Sequence, residues 1–566
     1  MFPAIPSDGQ VILSQLKSLR AVDILVVSSV TWALLKLIRT TRRRLRSTKL
    51  RGPPNQSFVF GLGKVLQRAE DPGAVYEQWA REYGPVYKVP SALGKTRVVL
   101  CDPKAIAHFF ARETYTYVLT PLSQNLTELI AGRGLSWSQG DSHKRQRKLL
   151  TPAFSNAAIR GLTTVFYDSA YKAKVAWDNI LESSSDSSII EVQSWMNHIS
   201  LDTIGISGFS HDFGALDGKR STVADVFASF GNAKPSPLAI AFFLLAPIFP
   251  WLVKLPTARI RLARKLCESM GQISEVLLAR TRQEKESNLD GGQEDKSIIG
   301  LLIKAGADDA ELRLTPEEVL AQVWQYPFIC LLQYFRGCYV QMRLLLLAGY
   351  ETTSTILTWA LINLSQNPEK QARLREELLQ FSNTDPTWDQ LNSSLPYLDA
   401  VVHEVLRLHP PVREWTRIAA EDDVIPLGEP IQTASGKLVD HISVAKGAMV
   451  SIPMLSINRS EAFWGADAKE FKPERWLDEA GITGKAKELQ GHRHLLTFVD
   501  GARTCLGKGF ALAEIKAVLS VLIRNFAFEL RDGPDTKVEL TRGVLSRPKI
   551  AGEAGYDVPL KVRRLN

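Results

Sequence analysis

A cysteine at position 505 stands within Phe498, Val499, Asp500, Gly501, Ala502, Arg503, Thr504, Cys505, Leu506, Gly507. The stretch fits F-x-x-G-x-R-x-C-x-G, a pattern fixed at five positions. Sulfur in such a setting can act as a thiolate ligand. Glycines let the chain turn tightly, and free amides just beyond the cysteine can point at the sulfur and tune it. A lone cysteine is more often a small buried hydrophobe. Cys101, Cys267, Cys330 and Cys338 show no metal spacing and read that way. Five cysteines, an odd count without framework spacing, suit a reducing compartment. A second segment, Ala348, Gly349, Tyr350, Glu351, Thr352, Thr353, follows an apolar run. On a helix Ala348 and Thr352 share a face, and the Thr352 hydroxyl can bond the carbonyl one turn back. Glu351 is a carboxylate suited to proton transfer. Glu404 and Arg407 lie three apart on one helical face, a pairing that is weak by itself.

In this combination and order the segments resemble the haem-thiolate family, the cytochrome P-450 monooxygenases, of the eukaryotic, membrane-anchored, fungal type. The resemblance implies that Cys505 is the axial ligand of haem b (iron protoporphyrin IX), where a thiolate favours O–O cleavage. It makes Phe498, Gly501, Arg503 and Gly507 cofactor-binding, with the planar fork of Arg503 matched to a haem propionate. Ala348 would leave room over the iron, Thr352 would donate toward bound dioxygen, and Glu351 would head a solvent proton relay. Residues 140–154, GDSHKRQRKLLTPAF, resemble the family's W-x-x-x-R helix ahead of P-A-F. Arg147 takes the arginine position and His143 stands where tryptophan is commonest; a histidine can still donate to a propionate. Arg417 matches a strand arginine that reaches a propionate. Arg475, within Phe471, Lys472, Pro473, Glu474, Arg475, Trp476, would join Glu404 and Arg407 in a buried structural cluster beneath the haem.

These residues need elements to hold them. Phe510, Ile515, Val518, Leu519, Leu522 and Phe526 recur at mostly helical spacing, which predicts a helix over 509–526 packed under the haem. Alternating runs at 86–89 and 97–101 predict a small sheet near the N-terminus. Helical patterns dominate 155–380, and the polar stretches 181–188 and 283–296 read as exposed connections. At 566 residues and 45% hydrophobic content, length alone allows about three or four domains. Yet the Arg147 helix and the motifs between Ala348 and Gly507 must meet around one cofactor. The expectation is a mainly α fold with a small β portion, a single discontinuous catalytic domain over 55–566.

Net charge is +9, and eight cations with no acid within 36–51 account for all but one of it. Ahead of them, 24–35 is uncharged and largely apolar. After an N-terminal segment 1–20, residues 21–38 are expected to form a transmembrane signal anchor, with a cleaved signal peptide or a surface amphipathic helix as alternatives. Residues 39–54 form a basic linker containing Pro53 and Pro54. Cations after the apolar run place the catalytic domain on the cytosolic side of the endoplasmic reticulum membrane, single-pass. The uncharged run 238–253, interrupted by Pro247 and Pro250, reads as a loop dipping into the bilayer or as a kinked buried helix.

No segment resembles a flavin or nicotinamide site, and the resemblance implies electrons from a separate NADPH-dependent flavoprotein reductase, which Lys144, Arg145 and Lys148 could greet. The expected reaction inserts one oxygen atom of O2 into a lipophilic small molecule: a secondary metabolite, a terpenoid, a steroid or an aromatic xenobiotic. No nucleic-acid partner is expected. Two alternatives stay open. One is a haem-thiolate isomerase or dehydratase needing no external electrons, against which Glu351 and Thr352 weigh. The other is a non-catalytic haem-binding membrane protein, tied to an anomaly at 323–341. There, nineteen residues with six aromatics and no acid separate the helix start at Thr315 and Pro316 from the Ala348 segment. Joining Gln322 to Met342 gives EEVLAQMRLLLLAGYETT, a coherent helix, whereas Pro327 would break one at a cost of about 3 kcal/mol. The piece reads as a translated short intron, with a looped-out insertion as the alternative.

Overall fold

In the first third of the chain, helices begin on a capping oxygen, often followed by proline. Asp71 accepts from the amides of Gly73 and Ala74 to open α1 (Pro72–Tyr83), and Asp102 from Ala105 to open α2 (Pro103–Ala111). Thr120 caps α3 (Pro121–Ala131) through Ser123. Such caps satisfy amides that have no partner within the helix, and proline fits the first position because it has no amide to leave unpaired. α4 (Gly140–Leu150) has no side-chain cap, while Ser155 caps α5 (Asn156–Glu182) and Glu191 caps α6 (Val192–Phe209). Later come α7 (Gln333–Gln366), α8 (Pro368–Leu379), α9 (Trp388–Ser393), α10 (Pro396–Leu408), α11 (Met454–Arg459) and α12 (Lys508–Asn525).

The computed structural model describes residues 26–31, 41, 45–184, 187–219, 249, 252, 261, 265, 268, 298, 333–541, 545, 547–553 and 555–565, with side chains in α7 from Leu345 onward. Most of the anchor 21–38 lies outside the described residues; residues 26–31 are helical, with Val26, Val27 and Val30 exposed. Among the described residues, the helix long and apolar enough to cross a membrane is Leu345–Gln366, but it is 72% buried within the protein and is a core helix. The stretch 283–296, and all of 238–253 except Phe249 and Leu252, also lie outside. The same holds for 323–332, whereas 333–341 form the backbone of the first turns of α7.

The predicted amino-terminal sheet exists as the hairpin β1 (Val86–Pro90) and β2 (Thr96–Leu100), but it is larger than the local sequence implies. β3 (Tyr117–Val118) lies on its far edge. The exposed connection expected at 181–188 is shorter than foreseen, because β4 (Ser187–Glu191) begins inside it. Beyond α10 come β5 (Trp415–Ala419), the hairpin β6 (Asp423–Gln432) and β7 (Leu438–Val444), and β8 (Met449–Ile452). β8 runs parallel to β2 and antiparallel to β5, giving the order β1-β2-β8-β5-β3. β9 (Phe526–Leu530), the pair β10 (Val538–Leu540) and β11 (Pro548–Ile550), and β12 (Pro559–Arg564) complete the fold. β12 pairs with both β9 and β4, so residues near the C-terminus close a sheet with a strand from the first half.

The core is helical. α12 follows the expected 509–526 pattern as far as Asn525; Phe526 opens β9 instead, and all six predicted apolar residues are buried. α12 packs chiefly on α5, while α7 packs chiefly on α6. The basic linker is docked: Lys88 donates its amide to Arg51 O at 2.9 Å and Thr48 to Ser443 O at 3.0 Å.

Candidate active site

The Cys505 peptide is a tight turn closed by the Cys505 amide on Phe498 O at 2.8 Å. Gly501 sits at φ 66°, and a Cβ there would lie 2.4 Å from Phe110 O at the end of α2. Only glycine suits both the left-handed backbone and that approach. Gly507 has an ordinary φ of −82°, and an added Cβ would meet only Phe154 Cε1, at 3.8 Å. Within the polypeptide, then, nothing demands glycine at 507. Cys505 is open to the space in front of it, yet burial among protein atoms pushes its thiol pKa up. The Gly507 amide, Arg147 and Lys508 pull the other way. A thiolate therefore needs a bound cation to stabilise it, as a metal would.

Basic residues of three separate elements lie within electrostatic reach of one another, and among them Arg147 acts on the sulfur. Arg147 and His143 come from α4, Arg417 from β5 and Arg503 from the cysteine turn itself. Burial lowers the pKa of all three guanidiniums, that of Arg503 to about 10, and Cys505 partly offsets the effect at Arg147. His143 is pushed down to about 4, first by burial and then by Arg503, Arg147 and Arg417. Near neutral pH it is a neutral imidazole. Among the described residues, the carboxylate paired with these cations is Glu113, just past α2. Its Oε1 accepts from Arg417 Nε at 2.7 Å and from Trp415 Nε1 at 2.8 Å, and lies 3.7 Å from Arg503 Nε. Arg503 also donates to the carbonyls of Ser136 and Ser138.

On α7, Thr352 Oγ1 donates to Ala348 O at 2.6 Å, the bond back to the preceding turn that the spacing allows. Glu351 is held by Arg547, whose Nε and Nη2 both lie 2.8 Å from Oε1. The glutamate and arginines expected to cluster also meet. Arg407 forks onto both oxygens of Glu404 at 2.8 Å, and Arg475 Nε lies 3.5 Å from Glu404 Oε1. Trp476 Nε1 and the Lys472 amide also donate to Glu404, at 2.9 and 3.0 Å. Arg407 further reaches the carbonyls of Asn458, Ala468 and Glu470, tying α10 to the chain around Arg475. Phe498 is buried with its ring edge-on to His492 at 5.8 Å.

Sequence reasoning missed Glu113, Trp415 and Arg547. A weak signal existed for Glu113, an acid among Phe109, Phe110, Tyr115 and Tyr117. Arg547 carries none, because its partner is 196 residues away.

The family model for cytochrome P450 matches residues 51–328 and 338–551. Three fungal relatives extend the likeness. Cytochrome P450 monooxygenase claP of Ampulloclitocybe clavipes is 58% identical over 98% of this chain and 100% of its own length. In claQ of the same fungus, identity is 59% over 96% of this chain and 98% of the relative. Cytochrome P450 monooxygenase 205 of Postia placenta is 34% identical over 94% of this chain and 95% of its own. The chain belongs to the cytochrome P450 family. It is a monooxygenase, and membership implies haem held by a cysteine thiolate.

The residues present fit that group. In the P450 pocket the guanidiniums of Arg147, Arg417 and Arg503 face, among the described residues, one paired carboxylate, Glu113. Among the described residues Arg147 forms no ion pair, and the buried Arg503 Nε lacks a hydrogen-bond partner. Uncompensated buried cations are costly. A porphyrin with two propionates would bring negative charge to these guanidiniums, and its iron would supply the cation that a thiolate at Cys505 requires.

Proposed function

We propose that this cytochrome P450 inserts one oxygen atom of O2 into a lipophilic small molecule, a secondary metabolite, terpenoid, steroid or aromatic xenobiotic. Electrons would come from NADPH through a separate flavoprotein reductase. The observation that carries the reading is the excess of buried guanidinium beside Cys505. When bound, haem b held by a thiolate would supply dioxygen activation. Cys505 would hold the iron, and Arg147, Arg417, Arg503 and the neutral His143 would bind the propionates. Phe498, Gly501 and Gly507 shape the turn that presents the sulfur. Ala348 leaves room for substrate. Because the Thr352 hydroxyl donates a hydrogen bond to the Ala348 carbonyl, its oxygen lone pairs are free to accept one. Glu351 takes up a proton from solvent at its carboxylate and passes it toward Thr352 Oγ1. Glu404, Arg407 and Arg475 hold the turn's surroundings in place.

Residues 21–38 anchor the enzyme in the endoplasmic reticulum membrane with its catalytic domain in the cytosol. The apolar run and its eight following cations support this. We also read 323–341 as a translated intron, supported by the break in the family match at 329–337. A mature transcript encoding Trp324 to Tyr339 would refute that.

The deciding experiment is the carbon monoxide difference spectrum of reduced membranes carrying the full chain, together with reductase-dependent turnover of terpenoids, steroids and polycyclic aromatics. A thiolate-type band that vanishes in C505S, with NADPH-dependent product, is expected. A chain without haem, or a band that survives C505S, sinks the proposal.

A further inference from the structure

Glu113 lies where three haem-side segments converge. It follows α2 directly, and the end of that helix abuts the cysteine turn, as the close approach of Phe110 O to Gly501 shows. Its side chain is fully buried. Oε1 alone serves Trp415 and Arg417 from β5 and faces Arg503 from the turn, while Oε2 has no hydrogen-bond partner among the described residues. Backbone shape adds a second, independent sign. Thr114, the next residue, has φ +80°, a left-handed conformation that a β-branched side chain rarely adopts. Strain of this kind persists only where surrounding structure imposes it. Here the turn is fixed by the Thr114 amide on Tyr117 O at 3.0 Å, and it sends Glu113 inward.

A buried carboxylate facing two arginines has a consequence for any dianion that those arginines bind. Arg417 commits Nε to Glu113 and Nη1 to the Thr416 carbonyl at 2.9 Å. Arg503 commits two nitrogens to the carbonyls of Ser136 and Ser138. Each guanidinium is thereby fixed in plane, and a fixed fork binds a carboxylate with less ordering cost than a free one. We propose that Glu113 is a positioning residue that orients Arg417 and Arg503 for the haem propionates, and that its negative charge contributes to the field at the iron. This rests on the haem reading above.

The test uses the full-length protein in membranes or detergent, comparing wild type, E113Q and E113D. Glutamine keeps volume and an acceptor oxygen but removes the charge; aspartate keeps the charge and withdraws it by one methylene. Haem transfer to an apoprotein acceptor and the ferric/ferrous midpoint potential are the readouts. E113Q is expected to release haem about tenfold faster, the scale of one lost charged hydrogen bond, and to shift the potential positive. E113D is expected to release haem faster than wild type while its potential stays nearer to the wild-type value. Packing alone would leave E113Q at wild-type values in both measurements, and that result overturns the proposal. If E113Q yields no folded protein, E113D decides, and haem release at the wild-type rate refutes the positioning role. Wild-type protein without haem would instead overturn the functional reading itself.

Discussion

Glu351 of α7 and Arg547, 196 residues further along the chain, meet at a single carboxylate oxygen that two guanidinium nitrogens approach at 2.8 Å. The side chains are only 15% and 9% exposed, so this is not a solvent-screened surface pair. Arg547 stands at the start of β11, where its amide donates to Thr541 Oγ1 and its carbonyl accepts from the Thr541 amide. A carboxylate proposed to relay protons is thus held by a segment near the C-terminus.

Replacing Arg547 with alanine should leave Glu351 short of its cation and destabilise the fold by about 1–3 kcal/mol in denaturant unfolding. R547K should recover only part of that, because an ammonium lacks the fork. More of the electrons consumed should also appear as hydrogen peroxide rather than product in R547A. Unfolding and electron yield both at wild-type values would make the pair idle.

Glu404 and Arg407 are both fully buried, and the pair joins α10 to three backbone carbonyls and to Arg475. Exchanging Glu404 for glutamine strands the Arg407 guanidinium in the core, at a cost of roughly 3 to 5 kcal/mol, while Arg475 keeps Asp467 at 2.9 Å. Loss of folded, haem-containing protein is expected at growth temperature, as read by urea unfolding and pigment yield. A loss under 1 kcal/mol, about the value of an exposed pair, would contradict the burial argument.

What the sequence revealed and what it concealed divide by range. The α12 stripe, the Glu404–Arg407 fork and the Thr352 bond to Ala348 are all set by steps of at most five residues, which helical geometry converts directly into shared faces. The β1–β2 hairpin was legible for the same reason, while its continuation through β8 and β5 was not, since those strands arrive from more than 300 residues away. Arg547 was invisible, and Glu113 marked only by standing among aromatic residues, because an ion pair across such separations leaves no local pattern. The neutral state of His143 was hidden too, since it depends on burial and on arginines from other elements.

Gly501 offers a sharp steric test. Its φ of 66° and the Phe110 carbonyl oxygen 2.4 Å from an added Cβ leave alanine no accommodation, because the obstacle is backbone. G501A should displace the end of α2 from the cysteine turn and reduce haem content, whereas G507A, which meets only Phe154 within the polypeptide, should fold as well as wild type in the absence of haem. Equal haem content in G501A and wild type would show that the turn yields more easily than its geometry implies.

Thr352 should separate into its two parts on substitution. T352V keeps the shape and removes the hydroxyl, and T352S keeps the hydroxyl. If Oγ1 passes a proton, T352V should lose about 10²-fold or more in product formation, while T352S retains most of it. Equal losses in both variants would assign the effect to packing.

His143 makes the folding of the haem-free protein acid-sensitive, with a defined sign. Its side chain is buried on α4, and its pKa falls from 6.5 to about 4, chiefly through burial and then through Arg503, Arg147 and Arg417. Between those two values the unfolded chain carries a proton that the folded chain lacks, so the unfolding free energy rises with pH across this window. The contribution is fully present above 6.5 and is lost as pH falls through about 4. One such group adds a slope of up to about 1.4 kcal/mol per pH unit. H143Q should flatten the acid limb of stability against pH by that amount in urea titrations of haem-free protein; His492 and His409, depressed in the same direction, are common to both proteins and cancel. Bound propionates would counter the three arginines, so the haem-loaded enzyme should show a shallower His143-dependent slope than the haem-free one. An acid limb unchanged by H143Q would mean that the imidazole is hydrated and lies outside the field of those arginines.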